Sequence, residues 1–337
     1  MSDAAAEPTV LARRQGRVGR ILLNRPRTLN ALDIEMIRSM AAALTAWRDD
    51  PAVHAVVVEG AGGRAFCAGG DIRAVRAASL AGRHDEIETF FTEEYALNQA
   101  IADYPKPYIA LVDGICMGGG IGVSAHGWAR VATEAALFAM PETGIALFPD
   151  IGATYILPRL RGEIGLYMAL SGARLHGADA AFAGLATHYT SRETIAGLAD
   201  ALAANGPAAL CGTGIPVEAP IAAHMDAIDR CFSADSVSAI LERLDAEGTD
   251  WARETLGALR AASPSAVLWT FEIVRAGAGR TLPQCLAAEL ALTRHATVHP
   301  DFLEGVRAMV VDKDRQPKWN PARIEDVDPA AIARMFA

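Results

Sequence analysis

The stretch GICMGGGIGVSAHG, Gly114 to Gly127, sets three consecutive glycines between a run that reads as a buried strand, YIALVDGICM, and one that reads as the opening of a helix. Glycine inside regular structure costs about 0.5–1 kcal/mol per site relative to alanine, so a triple points to a turn or to a close approach of the backbone to something else. At a strand-to-helix bend the first N–H groups of the helix lack an intrahelical acceptor and point outward, which favours negative charge. The stretch AGGRAFCAGGDIR, Ala61 to Arg73, follows another strand candidate and also places small residues, Ala68, Gly69 and Gly70, just before a helical pattern. Two such bends can face each other and aim two N–H donors at one oxygen, the requirement of an oxyanion hole. Taken singly, each is equally a plain turn or a tight helix-to-strand contact.

The patterns around the bends define the fold class. Val18 to Leu23, Ala55 to Val58, Tyr108 to Val112 and Ala129 to Ala132 are short aliphatic runs, and helical periodicity occupies Asp33 to Trp47 and Ile87 to Tyr104. This alternation predicts an α/β fold with a largely parallel sheet. The segment NGPAALCGTGIPVEAP, Asn205 to Pro220, reads as a linker. Beyond it the periodicity is helical over Asp235 to Glu247, Asp250 to Ala261, Pro264 to Ala276 and Leu282 to Val298, the third opened by Ser263 and Pro264. The expected organisation is a core over 10–204 and a helical C-terminal region over 205–337.

A formal charge of −9 argues against nucleic acid as a partner, because that affinity rests on a basic face. The five cysteines are odd in number, widely spaced and lack a C-x-x-C pair, so a disulfide framework is not indicated and a reducing, cytoplasmic setting is expected. The N-terminus lacks the apolar centre of a signal peptide and no apolar run reaches the roughly eighteen residues of a membrane span, so a soluble protein without a membrane partner is expected.

Three acids interrupt apolar patterns. Glu142 and Asp150 lie in MPETGIALFPDIGATYILPRL, where an ionised side chain is costly unless it is paired or lines a cavity. Asp150 reads equally well as the N-cap of a helix starting at Ile151, and Glu142 as a turn residue. Glu94 fills the missing position of the stripe Ile87, Phe90, Leu97, Ile101, whereas Glu93 falls off the stripe and reads as solvated. No histidine pair has zinc spacing and no metal is expected. Ser124 lies outside any G-x-S-x-G elbow, and Cys67 reads as a small buried thiol rather than a reactive one. Arg73, Arg76 and Arg83 follow the Ala61 to Arg73 loop, Arg25 and Arg27 follow the first strand, and the five include candidates for a phosphate-bearing ligand.

AFCAGGDI and GICMGGGIGVSAHG, with LNRPRTLNAL near the start, resemble the enoyl-CoA hydratase/isomerase (crotonase) superfamily. MPETGIALFPDIGATYILPRL and DFLEGVRAMVVDKDRQPKWNP are similar to its 3-hydroxyisobutyryl-CoA hydrolase branch, so the resemblance spans nearly the whole chain. It implies a crotonase-like spiral of β-β-α turns with a helical C-terminal region, and an acyl-CoA thioester substrate whose carbonyl sits between the N–H groups of Gly70 and Gly119. Hydratases of this family carry one catalytic glutamate where this chain has Gly122, and a second that aligns with Glu142. They usually have glycine where this chain has Asp150.

Both departures point to thioester hydrolysis in valine breakdown, with Glu142 as nucleophile or general base, Asp150 holding the acid or water, and Glu94 at the 3-hydroxyl end of the substrate. By the same resemblance, Arg73 and, more weakly, Arg27 meet the phosphates of coenzyme A, and the backbone around Ala68 and Ile72 meets its adenine. No separate cofactor is implied, because coenzyme A is part of the substrate. A homo-oligomer through the C-terminal helices is open. The competing functions are an enoyl-CoA hydratase, a dienoyl-CoA isomerase using the same Glu and Asp pair, and a non-catalytic acyl-CoA-binding or RNA-associated protein.

Overall fold

The computed structural model describes residues 7–214 and 218–336. Its strands are β1 (Val10–Gln15), β2 (Val18–Leu23), β3 (Ala55–Gly60), β4 (Ala65–Cys67), β5 (Tyr108–Val112), β6 (Ile115–Met117), β7 (Ala129–Ala132), β8 (Leu137–Ala139), β9 (Leu175–His176) and β10 (His188–Tyr189). They form two sheets, one ordered β1-β2-β3-β5-β7-β10 and one ordered β4-β6-β8-β9. In the long sheet only β1 with β2 is antiparallel; in the short one β4, β6 and β8 run parallel.

The same unit repeats along the chain. A long strand leads through a tight turn into a short strand of the second sheet and then into a helix or helical turn: β3-β4-α2 (Ile72–Leu80), then β5-β6-α4 (Gly119–Ala125), with α1 (Ile34–Arg48) and α3 (His84–Ala102) joining units. The first two turns use glycines in the left-handed region, Gly62 and Gly63 at φ 86° and 63° and Gly114 at 82°. These are the β-β-α turns the resemblance implied. The strands at the centre of the long sheet are covered on both sides, which accounts for their near-continuous apolar runs. Val56 and Val58 face the main core, while Ala55 and Val57 face Ile195, Leu198 and Leu202 of the helix Arg192–Asn205.

Of the C-terminal helices Met225–Phe232, Val237–Glu247, Asp250–Ala261, Pro264–Gly277 and Leu282–Ala296, the first was not expected and the other four follow the expected pattern to within a few residues. Ser263 caps the fourth, its side chain accepting from Ala266 N, with Pro264 at the first helical position. Their buried residues join the apolar cluster that includes β2, β3 and β5. Within the expected linker, Gly206–Gly212 form a 3-10 turn against the preceding helix, and Gly214 bridges Tyr189. Residues 215–217 of that linker, and Ala337 of the expected C-terminal region, lie outside the described residues.

Candidate active site

Because β4, β6 and β8 are adjacent and parallel, their C-terminal ends deliver three segments side by side: Ala68 to Gly70, Gly118 to Gly120, and Met140 to Glu142. Ligands of parallel sheets bind at this edge. A cavity of about 630 Å³ opens there, and it is lined by Gly70, Gly119, Glu94, Glu142 and Asp150 together, as well as by Ala68, Ile72, Arg73 and Arg27.

The glycines are in contact. A Cβ placed on Gly119 would lie 3.2 Å from Gly70 N, so the two bends abut and even a methyl group between them would push one back by a few tenths of an ångström. Gly118 is the N-cap of α4 at φ 47° and Gly69 stands at φ 111°, conformations that disfavour side chains. Gly119 is the first residue of α4, so its N–H has no acceptor inside the helix. Gly70 pairs with Leu32 through its neighbours: Leu32 N donates to Gly69 O at 2.8 Å and Asp71 N donates to Leu32 O at 2.8 Å, which leaves the N–H of Gly70 out of that ladder.

The preceding loop is pinned in turn. Asn30 Nδ2 donates to Ala61 O and Ala65 O, and the Arg25 guanidinium bridges Asp33 and Asp71, the caps of α1 and α2. Arg25, one of the candidate phosphate ligands, is thus engaged in holding the bend.

All three acids are buried, Glu94 at 2%, Glu142 at 7% and Asp150 at 5% exposure. Glu93 faces outward and pairs with Arg38 at 2.7 Å. The two glutamates flank the glycine bend: a Cβ on Gly118 would sit 2.8 Å from Glu142 Oε1, and one on Gly119 2.6 Å from Glu94 Oε1. Among the described residues, Glu94 Oε1 and Glu142 Oε2 have no hydrogen-bond partner.

Asp150 is not the N-cap of a helix at Ile151. That helix begins at Ala153 behind Gly152, and Tyr95 Oη donates to Asp150 Oδ2 at 2.6 Å. The physical reason is the backbone: Ile151 and Gly152 take φ 58° and 77°, which postpones the helix and leaves the Asp150 carboxylate on the cavity.

Burial pushes Glu142 well above the ordinary carboxylate range, and the nearby charge of Asp150 adds to it. Glu94 moves the same way for the same two reasons. Burial raises Asp150 to about 6, held there by the Tyr95 hydrogen bond, which favours its charged form. Three acids around one cavity cannot all be charged at neutral pH, and Asp150 is the first to ionise.

Ser124 Oγ donates to Gly120 O at 2.8 Å within its own helix, and burial pushes the Cys67 thiol up to about 12, so neither is an activated nucleophile. Among the described residues no three metal-binding side chains cluster, and no helix is long and apolar enough to cross a membrane. Arg73 lines the cavity mouth and donates to Val310 O.

Two contributors escaped the sequence. Tyr95, adjacent to Glu94, belongs to a stripe broader than the one first drawn, which also buries Phe91 and Asn98. Met309, Val310 and Lys313 reach the cavity from the C-terminal region; they lie in DFLEGVRAMVVDKDRQPKWNP, which carried the resemblance to the hydrolase branch without pointing to the site.

A family model described as enoyl-CoA hydratase/isomerase matches residues 18–336. This chain belongs to that family. It is 45% identical to the 3-hydroxyisobutyryl-CoA hydrolase, mitochondrial, of Rattus norvegicus, over 97% of this chain and 88% of the relative. Among solved structures it is similar to a carnitinyl-CoA dehydratase from Mycobacterium thermoresistibile, with TM-score 0.94 and 40% identity over 98% of this chain and 97% of that one. It is also similar to an enoyl-CoA hydratase from Rhodobacter sphaeroides 2.4.1, with TM-score 0.93, 39% identity and the same coverage.

The expected fold, a crotonase-like spiral with a helical C-terminal region, is that of these family members. The expected cytoplasmic setting is overturned, because the hydrolase relatives are mitochondrial. Unpaired cysteines do not distinguish one reducing compartment from another.

Proposed function

We propose that this family member hydrolyses 3-hydroxyisobutyryl-CoA, or a similar short 3-hydroxyacyl-CoA thioester, to the free acid and coenzyme A, a step of valine breakdown. The observation that carries this reading is the pairing of Glu142 with an ionised, tyrosine-bonded Asp150 beside the abutting glycines. The thioester oxygen lies between the N–H groups of Gly70 and Gly119, where its developing negative charge is stabilised. Glu142 attacks the thioester carbon or takes a proton from the water that does. The acid pair holds one proton: it rests on Glu142 in the free site, passes to Asp150 as Glu142 attacks the carbon or activates the water, and goes from Asp150 to the departing thiolate. Where Glu142 itself attacks, water then hydrolyses the resulting anhydride to the free acid and restores the carboxylate. Glu94 meets the 3-hydroxyl group. Arg73 and Arg27 at the mouth meet the phosphates of coenzyme A, with the backbone of Ala68 and Ile72 along its adenine. The chemistry uses only side chains, main-chain amides and water, coenzyme A being part of the substrate.

The two similar structures bear hydratase and dehydratase titles, so the rival reaction is addition of water to a double bond. Gly122, which stands where hydratases carry a glutamate, argues against it. A Cβ there would lie 2.8 Å from Ile151 Cβ and 2.9 Å from Asn98 Nδ2, and no side chain fits. The deciding assay measures thiol release from 3-hydroxyisobutyryl-CoA, hydration of an enoyl thioester, and the spectral change of a conjugated dienoyl thioester, for the parent and Asp150→Gly. Thiol release by the parent, lost in the variant, supports the hydrolase. Hydration or isomerisation by the parent without thiol release overturns it, and binding without any turnover would mark a non-catalytic member.

A further inference from the structure

The turn that aims Asp150 at the cavity is unfavourable by itself. Ile151 is β-branched and sits at φ 58°, and Gly152 follows at 77°. A left-handed residue of this kind is strained and persists only where its surroundings hold it. Two side chains grip this turn. His126 Nε2 lies 2.7 Å from Ile151 O on one side. On the other, Glu289 of the helix Leu282–Ala296, fully buried at 0% exposure, collects three donors: Gly152 N to Oε2 at 2.7 Å, and Thr154 N and Thr154 Oγ1 to Oε1 at 3.0 and 2.5 Å.

We propose that Glu289 is a positioning residue for Asp150: by accepting the N–H groups of residues 152 and 154 it fixes the left-handed turn and so aims the Asp150 carboxylate at Tyr95 and the cavity. The idea rests on the hydrolase reading for the role of Asp150, and it adds a distant group to that reaction. A carboxyl group suits the place because all its partners are donors. The amide of glutamine has one acceptor oxygen and turns an NH2 toward one of the backbone N–H groups, leaving a buried donor unpaired. The Gly152 position is also closed by packing, since a Cβ there would meet His126 Cε1 at 2.6 Å. The turn therefore has no room to relax on that side, and loss of one acceptor on the Glu289 side is transmitted to Asp150.

The test is kinetic, on the full-length protein, with thiol release from 3-hydroxyisobutyryl-CoA. Glu289→Gln lowers kcat at least tenfold with KM within threefold. In an Asp150→Asn background the same change costs less than twofold, because its effect passes through Asp150. A Glu289→Gln enzyme that keeps more than half of the parent kcat, or losses that multiply in the double variant, overturns the proposal. Should Glu289→Gln fail to fold, Thr154→Val removes one of the three donors and is expected to cost about threefold in the parent and nothing in Asp150→Asn; equal losses in both overturn it. If the parent releases no thiol, the hydrolase reading is at fault instead. A crystal structure of Glu289→Gln then decides this point: the Tyr95 to Asp150 hydrogen bond is broken, or the proposal is wrong.

Discussion

Gly119→Ala is the sharpest probe of the paired amides. The new Cβ would stand 2.6 Å from Glu94 Oε1, 3.2 Å from Gly70 N and 3.3 Å from Gly69 C. Optimal contacts between carbon atoms lie at about 3.5–4.0 Å, so the 68–70 segment must retreat by a few tenths of an ångström and Glu94 must swing aside. A donor that has to sit about 2.7–3.1 Å from the developing oxyanion is displaced by a comparable amount. Loss of one such donor corresponds to about 2.7–4 kcal/mol, or roughly 10²–10³ in kcat.

The fold should tolerate the change, because Gly119 is not among the glycines with positive φ and alanine favours a helix over glycine by about 1 kcal/mol. Gly70→Ala provides the contrast. Its Cβ would meet only the Phe90 ring, at 3.1 and 3.4 Å. An aromatic edge can rotate where a backbone cannot, so that loss is roughly tenfold or less. The assay is thiol release under saturating 3-hydroxyisobutyryl-CoA, with the melting temperature as a control for folding. A Gly119→Ala enzyme within tenfold of the parent kcat, or a reversed order of the two variants, would refute the steric reasoning.

Other substitutions test the remaining parts. Tyr95→Phe removes the hydrogen bond that favours ionised Asp150, so the acid limb of kcat/KM moves to higher pH by about one unit, equivalent to 1.4 kcal/mol; an unmoved pH profile counts against the assignment. Glu142→Gln should stabilise the protein at pH 8 and leave stability unchanged at pH 4. The carboxyl is raised in the folded state, so between its unfolded value near 4.3 and that raised value the folded chain holds a proton the unfolded chain releases, and stability falls as pH rises. A melting temperature at pH 8 that is not higher by about 2 °C contradicts it. Arg27→Ala, at the cavity mouth, is expected to raise KM roughly three- to tenfold with kcat unchanged, more at low salt than at high, as a phosphate contact requires. A fall in kcat alone would place Arg27 elsewhere.

Much of the architecture was legible in the chain because the signals are local. Aliphatic runs four to six residues long, bounded by glycine or charge, define the central strands, and Ser263-Pro264 marks a helix start that the structure keeps. The inward position of Glu94 and the outward position of Glu93 follow from helical spacing alone. The short strands Ala65–Cys67 and Leu137–Ala139 were not legible, and Ile115–Met117 read as the end of one run with Tyr108–Val112, whereas the left-handed Gly114 splits that run between the two sheets. Three residues carry too little periodicity to register, and only pairing with each other makes them strands.

What the sequence by itself determined is which residues are unusual: small ones where a side chain was affordable, and acids where an apolar one was due. Folding decided what those oddities mean. It placed Gly70 against Gly119 across 49 residues of chain, turned Asp150 from a helix cap into a partner of Tyr95, and brought Glu289 from 139 residues downstream to hold the turn that does so. Spacing along a chain reports the period of one element. Which groups share a cavity, and hence a proton, depends on strand order and on the left-handed bends between elements, and these are properties of the packed whole.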